Sequence, residues 1–273
     1  MNIIGNKYKL LEKIGSGSFG EIYKGENIRT KELVAIKMEC MNETSLSLLK
    51  NESMKYNYLS KIKGIPDIKW FGKENNYYFM VINLLGKSLK QFFLENTNTM
   101  TYSVHNKSFS LQRTREIGIK MIQLIRNIHE RGLIHRDIKP DNFLFGLHDN
   151  TQLYIIDFGF CKSYIKKNQH IPLKKTNKLI GSPNYASVNA HKHLELSRRD
   201  DLESIGYILL YLYYGKLEWE EIDSLEMDES ILLLKDTILM CSLPDFLREY
   251  FKEIRMLGFE ETPNYQSLIN ILS

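Results

Sequence analysis

The sequence predicts an α+β fold with a small, strand-rich N-terminal part carrying one helix, followed by a larger and mainly helical part. Three observations carry this. Up to about Asn83, apolar runs of strand length, rich in β-branched and aromatic residues, alternate with turn residues. The glycine-rich run Gly15-Ser16-Gly17-Ser18-Phe19-Gly20 has a strand pattern on both sides, where a dinucleotide fold would place a helix after it. After residue 86, apolar residues recur at helical spacing.

The elements follow in order. Tyr8 to Ile14 and Glu21 to Gly25 read as strands flanking the glycine run, and Val34-Ala35-Ile36-Lys37 as a third. One helix is expected from about Ser45 to Ile62. Tyr77 to Ile82 is a further strand, apolar and aromatic throughout, leading into Asn83-Leu84-Leu85-Gly86. Ser110 is placed to cap a helix whose face is Ile117, Met121, Leu124, Ile125 and Ile128 and which ends near Gly132. Two more helices are expected, from about Asp201 to Tyr214 and from about Pro244 to Leu257. The apolar stretch Ile205 to Tyr214 is too short to span a bilayer and apolar on every face, as a buried helix would be.

Composition narrows the class. Of 273 residues, 43% are hydrophobic and 26% charged, as in ordinary globular proteins. Met1 to Lys9 lacks the apolar core of a secretion signal. The three cysteines Cys40, Cys161 and Cys241 are odd in number and lack metal-like spacing, which points to free thiols inside the cell, in cytoplasm or nucleus. Cys161 is expected to be packed and inert. The net charge of +4 is modest, and the lysines are not interleaved with stacking aromatics, so no nucleic-acid partner is expected. Neither membrane association nor oligomerisation is indicated; a monomer is expected.

The chemistry lies in His135-Arg136-Asp137-Ile138-Lys139-Pro140-Asp141-Asn142, followed by Asp157-Phe158-Gly159. Asp137 can accept or orient the proton of an incoming hydroxyl, and Lys139 can stand beside a transferred phosphate. Asn142 and Asp157 are hard oxygen donors of the kind Mg2+ prefers. This spacing is similar to that of protein kinases, which transfer phosphate from ATP. In the glycine run, the missing Cβ atoms let backbone approach phosphates closely. The candidate ATP-binding residues there are Ile14, Gly15, Ser16, Gly17, Ser18, Phe19, Gly20, Glu21 and Ile22. Ala35 and Lys37 follow in the third strand, with Lys37 in the position that holds the α- and β-phosphates. Lys37 needs an acidic partner on the next helix; Glu52 is the first candidate and Glu43 the second.

Several segments narrow the resemblance: Lys139 to Leu144, Tyr154 to Gly159, His170-Ile171-Pro172, Tyr185-Ala186-Ser187-Val188-Asn189-Ala190-His191 and Ser197 to Tyr207. Most kinases carry Ala-Pro-Glu where Ala186-Ser187-Val188 stands. From about Tyr8 onward the chain resembles the casein kinase 1 family. That resemblance implies a single two-lobed kinase domain, with a small lobe to about residue 83, a hinge at about 83–86 and a large lobe from 87 to 273. It implies a serine/threonine protein kinase using ATP and Mg2+, with protein substrates. Ile82 would stand behind the adenine and the backbone of Leu85 would bond its edge. Asp201 would start a buried helix and accept hydrogen bonds from the catalytic loop, although a helix N-cap alone would also explain it. Arg136, which in many kinases meets a phosphorylated loop, would need no such phosphate here.

The sequence also departs from that family. Gly181-Ser182-Pro183-Asn184 stands where Gly-Thr-Ala-Arg is usual, and Asn184 lacks the cationic fork that grips an anion. Glu220-Glu221-Ile222-Asp223 and Glu226-Met227-Asp228-Glu229 are acidic where the family tends to be basic. Both departures disfavour phospho-primed substrates. Arg136, Lys162, Lys166, Lys167, Lys174, Lys175 and Lys178 could instead attract acidic residues flanking the acceptor hydroxyl, with Arg136, Lys162 and Lys178 as the candidate contacts; a solvated lysine face is the equal alternative. A polar insertion from about Asn96 to Ser108 is expected to lengthen a loop, and self-inhibition through a C-terminal tail is not expected of a sequence ending at Ser273. A pseudokinase scaffold that binds nucleotide and partners remains the alternative function, although Lys37, Asp137, Asn142 and Asp157 are all present.

Overall fold

The computed structural model describes residues 3–17, 20–41, 47–98, 108–220, 222 and 227–273. Ser18, Phe19, Glu43, Glu221, Asp223 and Glu226, with most of the polar insertion, lie outside the described residues. The chain divides into two compact units: Met1–Lys87 with Leu144–Gly159, and Ser88–Phe143 with Phe160–Ser273.

The first unit is built on a six-stranded antiparallel sheet. Its strands are β1 (Ile3–Ile4), β2 (Tyr8–Gly17), β3 (Gly20–Asn27), β4 (Leu33–Cys40), then β5 (Ile68–Glu74) and β6 (Tyr77–Asn83), in spatial order β1-β2-β3-β4-β6-β5. Helix α1 (Leu48–Tyr58) lies between β4 and β5 in sequence. Strand alternation decides the two faces. Val34, Ile36, Phe79 and Val81 pack with Ile4 and Tyr8 in a core cluster. Ala35 and Lys37 therefore belong to the opposite face, where Ala35 pairs with Ile82, and Lys37 with Met80 and Ile22. Helix α1 is shorter than the span expected from Ser45 to Ile62. It starts after Ser47, whose hydroxyl accepts Lys50 N–H, and residues after Tyr58 leave the helix in turns that include left-handed Lys61 and Gly64.

The second unit is mainly helical. It begins with α2 (Leu89–Asn98) and α3 (Leu111–His129), and α2 takes in Asn96–Asn98, the start of the expected loop insertion. Ser110 caps α3 by accepting Arg113 N–H at 3.3 Å, and the five apolar positions read from the sequence are all buried. Strand β7 (Leu133–Ile134) follows; β8 (Phe143–Phe145) and β9 (Leu153–Ile155) then pair and return the chain to the first unit. Back in the second unit, β10 (Lys162–Ser163) pairs with β7, and β11 (Ile165–Lys166) forms a hairpin with β12 (Gln169–His170). Lys167 and Asn168 both have positive φ, as a tight two-residue hairpin turn requires.

The remaining helices are α4 (Val188–His191), α5 (Arg198–Tyr214), α6 (Met227–Asp236), α7 (Asp245–Met256) and α8 (Tyr265–Leu272). Helix α5 is buried from Asp200 to Leu212 and packs against α3 and α7, but the stretch expected to be buried from Ile205 to Tyr214 ends early, since Tyr213 is half-buried and Tyr214 exposed. It starts three residues before Asp201, because Asp200 accepts the Ser197 N–H at 2.7 Å and closes the first turn. Among the described residues no helix is long and apolar enough to cross a membrane. None of the three cysteines is in a disulfide; Cys161 is buried, and Cys40 and Cys241 are exposed.

Candidate active site

In the first unit, β4 presents Lys37 and α1 presents Glu52. Lys37 Nζ lies 2.6 Å from Glu52 Oε2 and 3.5 Å from Asp157 Oδ1. Burial pushes the Glu52 carboxyl up to about 7, although the neighbouring ammonium pulls it down. Burial alone would lower the Lys37 amine, but the Glu52 and Asp157 carboxylates hold it above its ordinary value. Among the described residues Glu52 is thus the nearest acidic partner of Lys37.

Two residues that sequence reasoning passed over hold this arrangement. Glu39, two residues beyond Lys37, accepts from the N–H groups of Leu48 and Leu49 at 3.1 and 3.0 Å and from Ser47 Oγ at 2.6 Å. Its carboxylate so satisfies the open N-terminus of α1, where an anion is favoured. Tyr56, one turn after Glu52, accepts Asp157 N–H on its hydroxyl at 3.2 Å and meets Phe158 edge to face. Asp157 itself sits in the left-handed region at φ +67°, a conformation that costs a non-glycine residue about 1–3 kcal/mol.

The glycine bend shows two physical roles for its glycines. A Cβ on Gly20 would lie 1.9 Å from the carbonyl oxygen of Met38, so close strand approach alone requires glycine there. Gly15, by contrast, has no neighbour closer than 3.9 Å. Ile14 is exposed, and the Glu21 carboxylate binds Lys13 at 2.5 Å and the Tyr23 hydroxyl at 2.8 Å. Ser16 and Glu21 are register partners, as are Gly15 and Ile22. The segment around Leu85 is extended and anchored on its C-terminal side: Gly86 N–H donates to Phe145 O at 2.9 Å, and Lys87 O accepts Phe145 N–H at 3.0 Å.

In the second unit, the residues of the segment from His135 to Asn142 gather around Asp137. Lys139 Nζ is 2.8 Å from Asp137 Oδ2. The Asn142 amide nitrogen donates to the Asp137 carbonyl at 2.8 Å and reaches Oδ2 at 3.3 Å, which turns its side-chain oxygen elsewhere. Ser182 Oγ donates to Asp137 Oδ1 at 2.8 Å and accepts from Lys139 Nζ at 3.0 Å. In the sequence Ser182 stands out only as a departure from a family pattern; its hydroxyl is not legible there as a partner of an acid 45 residues away. Gly181 makes that approach feasible, with φ +97° and a virtual Cβ 2.6 Å from Arg136 O.

Asp201 holds the loop from behind. Its Oδ2 accepts His135 N–H at 2.7 Å and bonds His129 Nε2 at 2.9 Å; its Oδ1 accepts Arg136 N–H at 2.8 Å. Burial would raise this carboxyl, yet the bonds from His129 and the loop hold it below the ordinary aspartate range. Burial holds the His129 imidazole below its usual value, although Asp201 opposes this, and its Nδ1 lies 2.7 Å from the Tyr265 hydroxyl. These bonds fix Arg136 at φ +69°, immediately before Asp137.

The basic residues are less available than their sequence clustering suggests. Lys162 is ion-paired with Glu195 at 2.7 Å, and Lys174 stands 3.8 Å from the same carboxylate. Arg136 Nε donates to Phe160 O at 2.7 Å, and burial pushes its guanidinium below the usual arginine value. Lys166, Lys167, Lys175 and Lys178 remain exposed.

Among the described residues no group of three or more His, Cys, Asp or Glu side chains is arranged to hold a metal ion. Mg2+ bound with a nucleotide does not need one, since phosphate oxygens and water supply most of its ligands. Asp157 in the first unit offers one carboxylate, and Asn142 in the second unit one amide oxygen. The family model for the protein kinase domain matches residues 8–268 of this chain.

Proposed function

We propose, from the premise that this chain belongs to the protein kinase domain family, that it is a serine/threonine protein kinase resembling the casein kinase 1 family. It would transfer the γ-phosphate of MgATP to hydroxyls of protein substrates. The observation that carries this reading is the hydrogen-bonded set of Asp137, Lys139, Asn142 and Ser182, which is complete in its acid, amine and amide.

The roles follow from the chemistry of each group. Lys37, kept cationic by Glu52 and Asp157, would hold the α- and β-phosphates, while the bend from Ile14 to Ile22, Ala35, Ile82 and the backbone of Leu85 would hold the rest of the nucleotide. Asp157 and Asn142 would be the oxygen donors for Mg2+, which would neutralise charge on the phosphates. Asp137 already accepts a hydrogen bond from one hydroxyl, that of Ser182, and would orient an acceptor hydroxyl and take its proton. Lys139 would neutralise the transferred group. A lysine two residues after the catalytic aspartate favours serine or threonine acceptors over tyrosine. Arg136, bonded to Phe160 O, supports activity without a phosphorylated activation segment. With Lys162 tied to Glu195, any preference for acidic flanks would rest on the exposed lysines, Lys178 among them. Cytoplasmic or nuclear residence is part of the same proposal.

Transfer of labelled phosphate from MgATP to casein tests this reading, with Asp137→Asn and Lys37→Met as controls. Positioned acids and charge-neutralising groups account for most of the acceleration, so each change should cost roughly 10³-fold in kcat. No transfer by the wild-type chain, or equal transfer by both variants, would overturn it and favour a nucleotide-binding scaffold.

A further inference from the structure

Lys235 on α6 is fully buried, at 0% exposure, yet among the described residues it has no carboxylate partner within ion-pair distance. Its Nζ donates to Pro183 O at 2.7 Å and Ala186 O at 2.6 Å, and lies 3.2 Å from His191 Nε2. His191 Nε2 is itself 3.1 Å from Pro183 O. The same amine stands over the rings of Tyr207 and Trp219, 4.6 and 5.2 Å from their centroids. Trp219 Nε1 in turn donates to Asn184 O at 2.9 Å.

A backbone account of the segment shows why a lysine is there. The N–H groups of Tyr185 and Ala186 both go to Ser182 O, each at 2.9 Å, and Pro183 has no N–H. The carbonyls of Pro183, Asn184 and Ala186 are then taken by Lys235 and Trp219. Buried carbonyls need donors, and an aliphatic residue in this place would remove the Lys235 donor from Ala186 O and leave Pro183 O with His191 Nε2. Burial holds the Lys235 amine well below the ordinary lysine range. Its protonation state does not decide the contact, because a neutral amine still has two N–H donors for the two carbonyls. The His191 contact adapts through its tautomer.

The clamped segment begins at Ser182, whose hydroxyl touches both Asp137 and Lys139. We infer that Lys235, assisted by Trp219, is a positioning residue for the acceptor: it holds residues 183–186 as the platform against which the segment next to the target hydroxyl is read. The inference rests on the phosphotransferase reading above and assigns that reading a determinant of acceptor binding. Lys235 touches neither substrate nor reacting atoms.

Steady-state kinetics on the full chain test it, with a casein-derived peptide as acceptor. Lys235→Met keeps the apolar volume and removes both donors. Trp219→Phe keeps an aromatic ring against Tyr207 and removes only the donor to Asn184. Each should raise the peptide KM by about tenfold while KM for ATP stays within about twofold, a change worth about 1.4 kcal/mol in acceptor binding. If Lys235→Met does not fold, Trp219→Phe carries the test by itself. An unchanged peptide KM in a folded variant overturns the inference while leaving the kinase reading intact. Equal rises in both KM values also overturn it, since they mark general damage. A wild-type chain that transfers no phosphate removes the kinase reading and this inference together.

Discussion

Replacing Asp201 by Asn changes one atom and should show how much of the catalytic loop rests on a single buried carboxylate. Asp201 Oδ2 serves His129 and the His135 N–H, and Oδ1 serves the Arg136 N–H. An amide has only one oxygen. With that oxygen at the Oδ2 place the first two bonds survive, and the new NH2 faces the Arg136 N–H, donor against donor. The loss is one hydrogen bond to a charged group, worth about 1.5–3 kcal/mol, with a buried N–H left unpaired, so about 3 kcal/mol is expected. For a chain of this length each kcal/mol is worth about 2–4 °C, so Tm should fall by roughly 6–12 °C. Arg136 at φ +69° would also lose the bond that holds it. A shift of about 1 Å in the neighbouring Asp137 would cost kcat about 10²-fold. Because the folded-state pKa of Asp201 is depressed, its stabilisation is present above the ordinary aspartate pKa and lost as pH falls through the folded value. The gap in Tm between wild type and variant should therefore narrow on acidification. Thermal denaturation and initial rates measure both effects. A Tm within about 2 °C of wild type at neutral pH, with kcat within about threefold, would refute the reasoning.

Two further outcomes concern the first unit. Glu39→Ala removes the acceptor for the first amides of α1 and should cost about 1–2 kcal/mol. Hydrogen exchange at Leu48 and Leu49 should quicken and phosphate transfer should fall, since the same helix carries Glu52; unchanged exchange would count against the capping role. Glu52, with its carboxyl raised to about 7, should impose an acid limb on the rate as pH drops below that value and the pair with Lys37 loses its negative member. Its contribution to stability has the opposite slope: between the unfolded value and about 7 the folded chain keeps a proton that the unfolded chain has released, so stability falls by about 3 kcal/mol as pH rises through that window. In Glu52→Gln both the limb and this slope should vanish, which pH–rate profiles and pH-dependent denaturation would show.

Much of the site was legible because its chemistry is written in contiguous residues. The octapeptide from His135 to Asn142 and the triplet from Asp157 to Gly159 name their groups by type and spacing. The apolar face of α3 follows from periodicity, the burial of most of α5 from its being apolar on every face, and Ser110 marks a helix start because capping is local. Choosing Glu52 over Glu43 was within reach for a similar reason, since only Glu52 lies well inside the helical stretch.

What the amino-acid order could not contain was the identity of partners far apart in the chain. Ser182 meets Asp137 across 45 residues, Asp201 holds the loop across 65 and 66, and Lys235 reaches the carbonyls of Pro183 and Ala186 across 52 and 49. Each is a side chain satisfying a buried polar group, and which group is left wanting a partner is known only after strands pair and helices pack. The same holds for Lys162, which looked like part of a free basic surface until folding placed it against Glu195. Sequence by itself gave most kinds of element and named the candidate site groups by type, because propensity, periodicity and side-chain chemistry are local properties. Tertiary structure alone decided which of those groups are held, charged or spent, because burial and hydrogen-bond satisfaction depend on neighbours the chain acquires only by folding.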